Sequence, residues 1–222
     1  MQKFTWVELC RMGAVFGMRV TPIRHVERGG APISSSRIRR LVRVGQLARA
    51  AALLGRPPAL YGHVVRGAGR GRRLGFPTAN LQLMPHVLPP QGVYAVTLRA
   101  RDRGSLAALA RLAKHGRSAT HVRQPGSSTE IAGVMNLGTR PTFGPGPMVC
   151  EVHLPGFSGT LLGAPVAVSL LARLRDERCF PTWQALRRQI DHDILRAEMS
   201  LQKYHAATVL REKRLTRRSP SS

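Results

Sequence analysis

The stretch from Gly67 to Leu81 carries residue types that could bind a phosphorylated ligand. Its loop contains Gly67, Gly69, Gly71, Arg72 and Gly75. Glycines let backbone N–H groups approach phosphate oxygens, and guanidinium groups add positive charge. The segment lacks a Gly-Lys-Ser/Thr ending, and the pattern that follows is β rather than helix, so it is neither a Walker loop nor a Rossmann fingerprint. Taken alone, a flexible turn is the commoner explanation of such a loop.

Thr78 and Asn80 follow this loop and could serve a hard cation. In an extended chain, residues two apart point the same way, so one hydroxyl and one amide would present two neutral oxygens together. Such oxygens suit Mg²⁺ beside phosphate groups. The alternative is an Asx- or Ser/Thr-type turn, which the residue types alone favour.

Glu151 is the candidate general base. The chain has only 11 carboxylates, and Glu151 lies among apolar neighbours in a predicted strand, VCEVHL. A glutamate in such a strand could orient an attacking hydroxyl and accept its proton. On residue type alone, an outward-facing glutamate on a half-solvated strand is the better explanation.

Two polar segments could line a site at one end of a β domain, or could simply cap loops. The first is residues 136–142, and the second is residues 175–180, which join the last strand to a helix. The histidines show no HExxH-like spacing, and no GxSxG signature occurs, so zinc ligation by histidine and serine hydrolase chemistry are disfavoured.

The elements that must position these residues change along the chain. Residues 1–56 have an α/β pattern, with a strand expected at Met18 to Val26, a short helix after Ser34, and a second helix from Leu47 to Leu54 that Gly55 ends. Short strands separated by Gly and Pro then predict an antiparallel sandwich or barrel. The expected strands are residues 60–65, 92–100, 130–137, 150–154 and 165–174. From Thr182, apolar residues at helical spacing (Trp183, Leu186, Ile190, Ile194) predict a helix with one buried face.

Composition narrows the function classes. The net charge of +24 comes almost entirely from scattered arginine and indicates affinity for anions in general. The few aromatic residues do not form a base-stacking surface, which argues against nucleic-acid binding. No apolar run reaches membrane-helix length, the N-terminus lacks the features of a signal peptide, and three widely spaced cysteines fit a reducing cytoplasm.

The order of the motifs closely resembles the riboflavin kinase family, over roughly Pro57 to Ala197. After the glycine loop, the motifs are LGFPTANL (74–81), GVYAV (92–96), NLGTRPTF (136–143), CEVHL (150–154) and LRDERCF (174–180). The resemblance implies a small closed antiparallel β-barrel with a C-terminal helix. It also implies transfer of the ATP γ-phosphoryl group to riboflavin, giving FMN and ADP in flavin-nucleotide biosynthesis. The alternatives are an inactive flavin- or nucleotide-binding fragment and a basic nucleic-acid-binding barrel.

The resemblance further implies roles for individual residues. The loop with Gly67, Gly69, Gly71, Arg72 and Gly75 would cover the nucleotide. Thr78 and Asn80 would hold Mg²⁺ and phosphate oxygens, and Glu151 would be the base. Arg175, Glu177 and Phe180 would lie near the flavin.

The resemblance also suggests three regions. Residues 1–56, with PISSSRIR at 32–39, look like the end of the adenylyltransferase domain of bacterial bifunctional enzymes. Residues 57–205 would be the kinase domain and residues 206–222 a basic tail. The chain contains no HxGH motif, so FMN adenylylation is not expected from it. An excursion at residues 101–129 is longer than the family pattern suggests.

Overall fold

The computed structural model describes residues 5–22, 26–67, 69, 71, 75–84, 87–102, 104, 121–123, 129–139, 148–157 and 160–216. The helices are α1 (Trp6–Val15), α2 (Ser35–Arg43), α3 (Leu47–Leu54) and α4 (Trp183–Thr216). The strands are β1 (Ala59–Val65), β2 (Thr78–Leu83), β3 (Gly92–Ala100), β4 (His121–Arg123), β5 (Thr129–Thr139), β6 (Met148–His153) and β7 (Pro165–Arg175). Two compact units are formed, Met1–Ser35 and Ser36–Ser222.

Six strands of the second unit close into an antiparallel barrel. The hydrogen-bonded order is β3-β7-β1-β2-β6-β5, and β5 pairs back with β3. The short strand β4 extends the same sheet, because Ile131 of β5 pairs with Leu98 on one edge and with His121 on the other. The mainly β, closed antiparallel barrel with a C-terminal helix is thus confirmed.

The side chains inside the barrel form its main core. Alternate residues of each strand point inward, as the two-residue period of a strand requires. This core includes Tyr94, Leu98, Met135, Val152 and Val168, each less than 2% exposed. The interior is filled by side chains, so the positions available to a ligand are on the outer face and at the barrel ends.

Helix α4 covers part of the outer face and explains why β3 is buried on both sides. Ala197 of α4 packs with Val93 and Ala95, and Leu201 packs with Ala132. The Thr182 hydroxyl accepts a hydrogen bond from the Ala185 N–H at 3.2 Å and caps the helix. Trp183 does not share the buried face and is 54% exposed, because the helix makes its barrel contacts farther along. The helix continues past residue 205 to Thr216.

The first 56 residues differ from expectation in two elements: helix α1 was not predicted, and the predicted strand is absent from the described residues. No strand forms at residues 18–22 or at Val26, while residues 23–25 lie outside the described ranges. A strand needs a neighbour for its backbone groups, and the described part of this segment provides only one isolated bridge, Glu27 to Pro32. Helices α2 and α3 form as predicted, and Gly55 ends α3 in the left-handed conformation. Leu47 of α3 lies in the main core, which places α3 with the barrel.

All five predicted strands are present, with ends that differ by one or two residues. Strands β2 and β4 were not predicted. Strand β2 was missed because half of its sequence, TANLQL, is polar, and only alternate residues face the core. The excursion at residues 101–129 lies outside the described residues, apart from residues 101, 102, 104, 121–123 and 129.

Candidate active site

A row of three polar residues crosses adjacent strands of the barrel. Asn80 of β2 is directly opposite Glu151 of β6, and Glu151 is directly opposite Asn136 of β5. Directly paired residues of neighbouring strands project from the same face of a sheet, with Cβ atoms about 5 Å apart. The barrel thus brings two amides and one carboxylate together from residues spread over the whole domain.

This row lies on the outer face of the barrel. The flanking residues Cys150 and Val152 point into the core, so Glu151 points outward and is only partly buried. Thr78 and Asn80 likewise alternate with Ala79 and Leu81, both of which contact the core. Thr78 and Asn80 therefore project from the same side of β2, as the two-residue spacing predicts, and Glu151 projects outward from β6.

Two glycines of the loop pack directly onto these side chains. A Cβ placed on Gly67 would lie 1.9 Å from Nδ2 of Asn80. A Cβ placed on Gly71 would lie 2.3 Å from the Phe76 carbonyl oxygen and 3.2 Å from Oγ1 of Thr78. Only glycine therefore allows this loop to approach so closely. Arg72, which was also predicted to bind nucleotide, lies outside the described residues.

The loop turns at two further glycines. Gly69 has φ +69° and Gly75 has φ +84°, in the left-handed region that costs other residues about 1–2 kcal/mol. A Cβ added at either position would point into open space with respect to the described part of the chain. These two glycines thus serve the backbone path of the loop, whereas Gly67 and Gly71 serve its contact with β2.

A cavity of about 500 Å³ opens beside the loop at one end of the barrel. Its walls combine the loop, the start of β2, and apolar residues from β1, β6 and the β6–β7 connection. The lining residues are Val64, Val65, Gly67, Gly69, Pro77, Thr78, Ala79, Asn80, Val152, Leu154, Phe157, Thr160, Leu161 and Leu162. The cavity is thus lined by apolar side chains together with the polar side chains of Thr78 and Asn80.

His153 holds the two residues that precede β2. Its Nδ1 lies 2.9 Å from the Pro77 carbonyl oxygen, and its ring makes an edge contact with Phe76 at 5.4 Å between centroids. Because a carbonyl can only accept, Nδ1 carries the proton and donates. Burial lowers the pKa of His153 below its ordinary 6.5, although the Pro77 hydrogen bond and the Asp191 carboxylate act in the opposite direction. His153 also pairs with Thr78 across the two strands.

The lowered pKa of His153 predicts a pH-dependent contribution to stability. Below pH 6.5 the unfolded chain takes up this proton before the folded chain does, so folding loses stability as the pH falls. Compared with a His153→Asn variant, whose amide can still donate to Pro77, the wild type should lose stability between pH 8 and pH 5. The slope of the difference should not exceed about 1.4 kcal/mol per pH unit, the limit for one site. Urea denaturation at each pH measures it, and parallel curves would contradict the assignment.

Glu177 lies at the other end of the polar row. Asn136 Nδ2 donates to Glu177 Oε1 at 3.0 Å. A Cβ on Gly138 would lie 2.3 Å from Glu177 Oε2, so the carboxylate rests on the bare backbone of β5. The segment after β7 is thereby joined to the same face that carries Glu151.

Arg175 and Phe180 occupy the same segment but face α4. Arg175 Nε donates to Asp193 Oδ2 at 2.9 Å, and its guanidinium carbon lies 5.5 Å from the centre of the Phe180 ring. Arg178 lies over the same ring at 4.8 Å. The structure thus brings Arg175, Glu177 and Phe180 into one segment next to the polar row, and Glu177 connects this segment to the row through its hydrogen bond with Asn136.

Three residues of this region were not among the predicted site residues. Asn136 appeared only as part of a polar turn, yet it lies within β5 opposite Glu151. His153 lies two residues after Glu151, so the same alternation that points Glu151 outward could have revealed it. Asp193 is 1% exposed within a helix, and a lone aspartate on the buried side of an amphipathic helix is a detectable signal.

The donor chemistry of the row fits a magnesium ion bound beside phosphate. Within the described ranges, no three His, Cys, Asp or Glu side chains gather closely enough to hold a metal by themselves. Mg²⁺ commonly uses one or two protein oxygens and completes its shell with phosphate and water. Thr78 and Asn80 supply oxygen donors of this kind.

Among the described residues, no helix combines the length and apolarity needed to cross a membrane.

The described cysteines add no redox chemistry to the site. Burial, with a smaller effect from the Glu151 carboxylate, raises the pKa of the Cys150 thiol to about 12. Cys150 is thus a core residue of the barrel, and Cys10 and Cys179 are also free thiols.

Comparison with known proteins supports one family. The family model for riboflavin kinase, Flavokinase, matches residues 54–201. Similar curated proteins are called bifunctional riboflavin kinase/FMN adenylyltransferase. The one from Escherichia coli strain K12 is 34% identical over 85% of this chain and 52% of its own length. The one from Bacillus subtilis strain 168 is 34% identical over 72% of this chain and 44% of its own length.

A solved structure shows the same fold. A crystal structure titled macrolide-efflux protein from Streptococcus pneumoniae matches with a TM-score of 0.61 and 29% identity, covering 82% of this chain and 52% of that one. The present chain spans about half the length of the curated relatives it matches. The matched residues contain the closed barrel, the polar row and most of α4, and the chain belongs to the riboflavin kinase family.

Proposed function

We propose that this chain transfers the γ-phosphoryl group of ATP to the terminal ribityl hydroxyl of riboflavin, giving FMN and ADP. The observation that carries the proposal is the polar row Asn80–Glu151–Asn136, with a glycine loop and cavity at one end and Glu177 at the other. One end suits a nucleotide and the other a second substrate. Membership of the riboflavin kinase family supports riboflavin and ATP as the two substrates.

The nucleotide is proposed to occupy the cavity beside the loop. The apolar wall formed by Val65, Leu154, Phe157 and Leu161 suits a purine base. The loop backbone at Gly67 and Gly71, next to Asn80 and Thr78, would then face the phosphate groups. The positive charge of the chain favours the approach of this anionic ligand.

Thr78 and Asn80 are proposed to hold Mg²⁺ between β2 and the phosphate oxygens. The ion would neutralise charge on the transferring group when bound. The contribution of the chain is to present two oxygens from adjacent outward positions of one strand, at a distance fixed by the strand repeat.

Glu151 is proposed to act as the base. Its carboxylate oxygen would accept the proton of the riboflavin hydroxyl as that oxygen forms its bond to phosphorus and the bond to the ADP oxygen breaks. Asn80 and Asn136, on either side of it, restrict where the hydroxyl can lie. The isoalloxazine ring would extend toward Glu177 and Phe180. Arg175, whose guanidinium lies against the Phe180 ring, would support this part of the site.

We propose that only part of the chain carries out the kinase reaction. Residues 57–205 would carry the kinase reaction, and residues 1–56 would not adenylylate FMN, because no HxGH motif is present in them. The reaction and the free cysteines are both compatible with a cytoplasmic setting.

The direct test is product analysis. The purified 222-residue chain, incubated with riboflavin, ATP and Mg²⁺, should form FMN and ADP in equal amounts and no FAD. EDTA should stop the reaction, and excess Mg²⁺ should restore it. A folded protein that forms no FMN would refute the kinase assignment, and formation of FAD would refute the assignment of residues 1–56.

A further inference from the structure

Asp193 is a buried carboxylate that the proposed reaction does not use. It lies on α4, is 1% exposed, and is far more deeply buried than an isolated charge could be. Its Oδ2 accepts from Arg175 Nε and lies 2.9 Å from Arg175 Nη2, while its Oδ1 accepts from Gln189 Nε2 at 2.8 Å. Both carboxylate oxygens are thus occupied by protein donors.

The hydrogen-bonding groups of Arg175 are occupied as well. Its Nε and Nη2 face Asp193, and its Nη1 donates to the Asp176 carbonyl oxygen at 3.0 Å. The guanidinium therefore binds α4 on one side and the backbone of the segment after β7 on the other, next to the Phe180 ring. Its hydrogen-bonding groups are directed at the protein itself, as a positioning group requires.

The segment held in this way leads to the polar row. Glu177 comes two residues after Arg175 and accepts from Asn136, which is opposite Glu151. A continuous series of contacts therefore connects α4 to the outer face of the barrel. Displacement of the segment would move Glu177 and Phe180 while leaving the loop and β2 in place.

We propose that Asp193 is a positioning residue for riboflavin: it orients Arg175, which holds the 176–180 segment where Glu177 and Phe180 border the flavin site. This inference rests on the proposed kinase function and assigns Asp193 no contact with either substrate. It predicts a selective effect on riboflavin, because the nucleotide groups lie on β1, β2 and the glycine loop.

The test compares Asp193→Asn with Asp191→Asn. Asp191 is also an aspartate of α4, two residues before Asp193, but it is exposed and lies outside the 176–180 segment. D193N should raise the KM for riboflavin by about tenfold to a hundredfold, the range that small misplacement of a binding group produces. The KM for ATP should stay within about twofold, and D191N should leave both constants nearly unchanged.

A second variant separates positioning from folding. Removing one partner of a buried ion pair can unfold a protein, whereas replacing both by apolar residues of similar volume often preserves stability. Arg175→Met combined with Asp193→Leu should therefore fold, as judged by thermal unfolding, and still bind riboflavin about tenfold or more weakly in flavin-fluorescence titrations. Wild-type riboflavin affinity and KM in this folded double variant would overturn the inference while leaving the kinase assignment intact. Absence of FMN formation and riboflavin binding by the wild type would overturn both.

Discussion

The Glu151→Gln variant is expected to lose FMN formation by a factor of roughly 10²–10⁴, the usual contribution of a positioned general base. Glutamine keeps the size and the hydrogen-bonding oxygen of the side chain but cannot take up the proton. Glu151 is only partly buried on the outer face of β6, so the change creates no cavity and should not unfold the barrel. Single-turnover measurement of FMN gives the rate, and calorimetric titration with ATP should give nearly wild-type affinity.

The control for this variant is Glu130→Gln. Glu130 also lies on the barrel, six residues before Asn136 along β5 and hence about 20 Å away, where it accepts a hydrogen bond from Thr97. Glutamine can still accept that bond, so turnover should remain close to wild type. Persistent turnover in E151Q would show that Glu151 is not the base.

The second large effect is expected from Gly67→Ala. The added methyl group would lie 1.9 Å from Asn80 Nδ2, so the Asn80 side chain must rotate away from its place in the polar row. Loss of a correctly placed phosphate- or metal-binding group should lower kcat/KM for ATP by about a hundredfold. Because Gly67 is exposed, the free energy of unfolding should change by less than about 1 kcal/mol.

A double-mutant cycle identifies the route of this effect. If G67A acts only by displacing Asn80, then adding it to Asn80→Ala should cause no further loss, whereas independent effects would multiply. Steady-state kinetics of the wild type, G67A, N80A and G67A/N80A measure the coupling. A double variant that is much slower than N80A would mean that Gly67 has its own role in the loop.

The sequence allowed the barrel and most of its strands to be predicted because glycine and proline separate short apolar stretches. The ends of β5 and β6 fall within two residues of expectation. The strand expected at Met18 to Val26 was wrong in its described part, since alternation alone does not supply a pairing partner. Trp183 was placed on the buried face by its spacing, but the spacing cannot show where a long helix first touches the barrel.

The sequence indicated individual residues of the candidate site but not that they lie next to one another. Glu151, Thr78 and Asn80 were identified as chemistry-bearing residues, but their own sequence context favoured ordinary roles. Their adjacency depends on strand pairing between residues far apart in the chain, Asn80 with Glu151, and this register is not visible in either strand alone. Asn136 was missed for the same reason, because its place beside Glu151 depends on the β5–β6 register. Asp193 was missed because its contact with Arg175 depends on how α4 packs on the barrel.

The register of β6 affects how stable a misfolded form of this protein can be. A slip of one residue would turn Glu151 into the core and Cys150 outward, because successive residues of a strand face opposite sides. The core would then have to bury a carboxylate, which is far too costly to persist. Correct strand register and a correctly assembled site are therefore coupled: a molecule with misaligned strands does not fold stably, so a stable fold with a misassembled site is not expected.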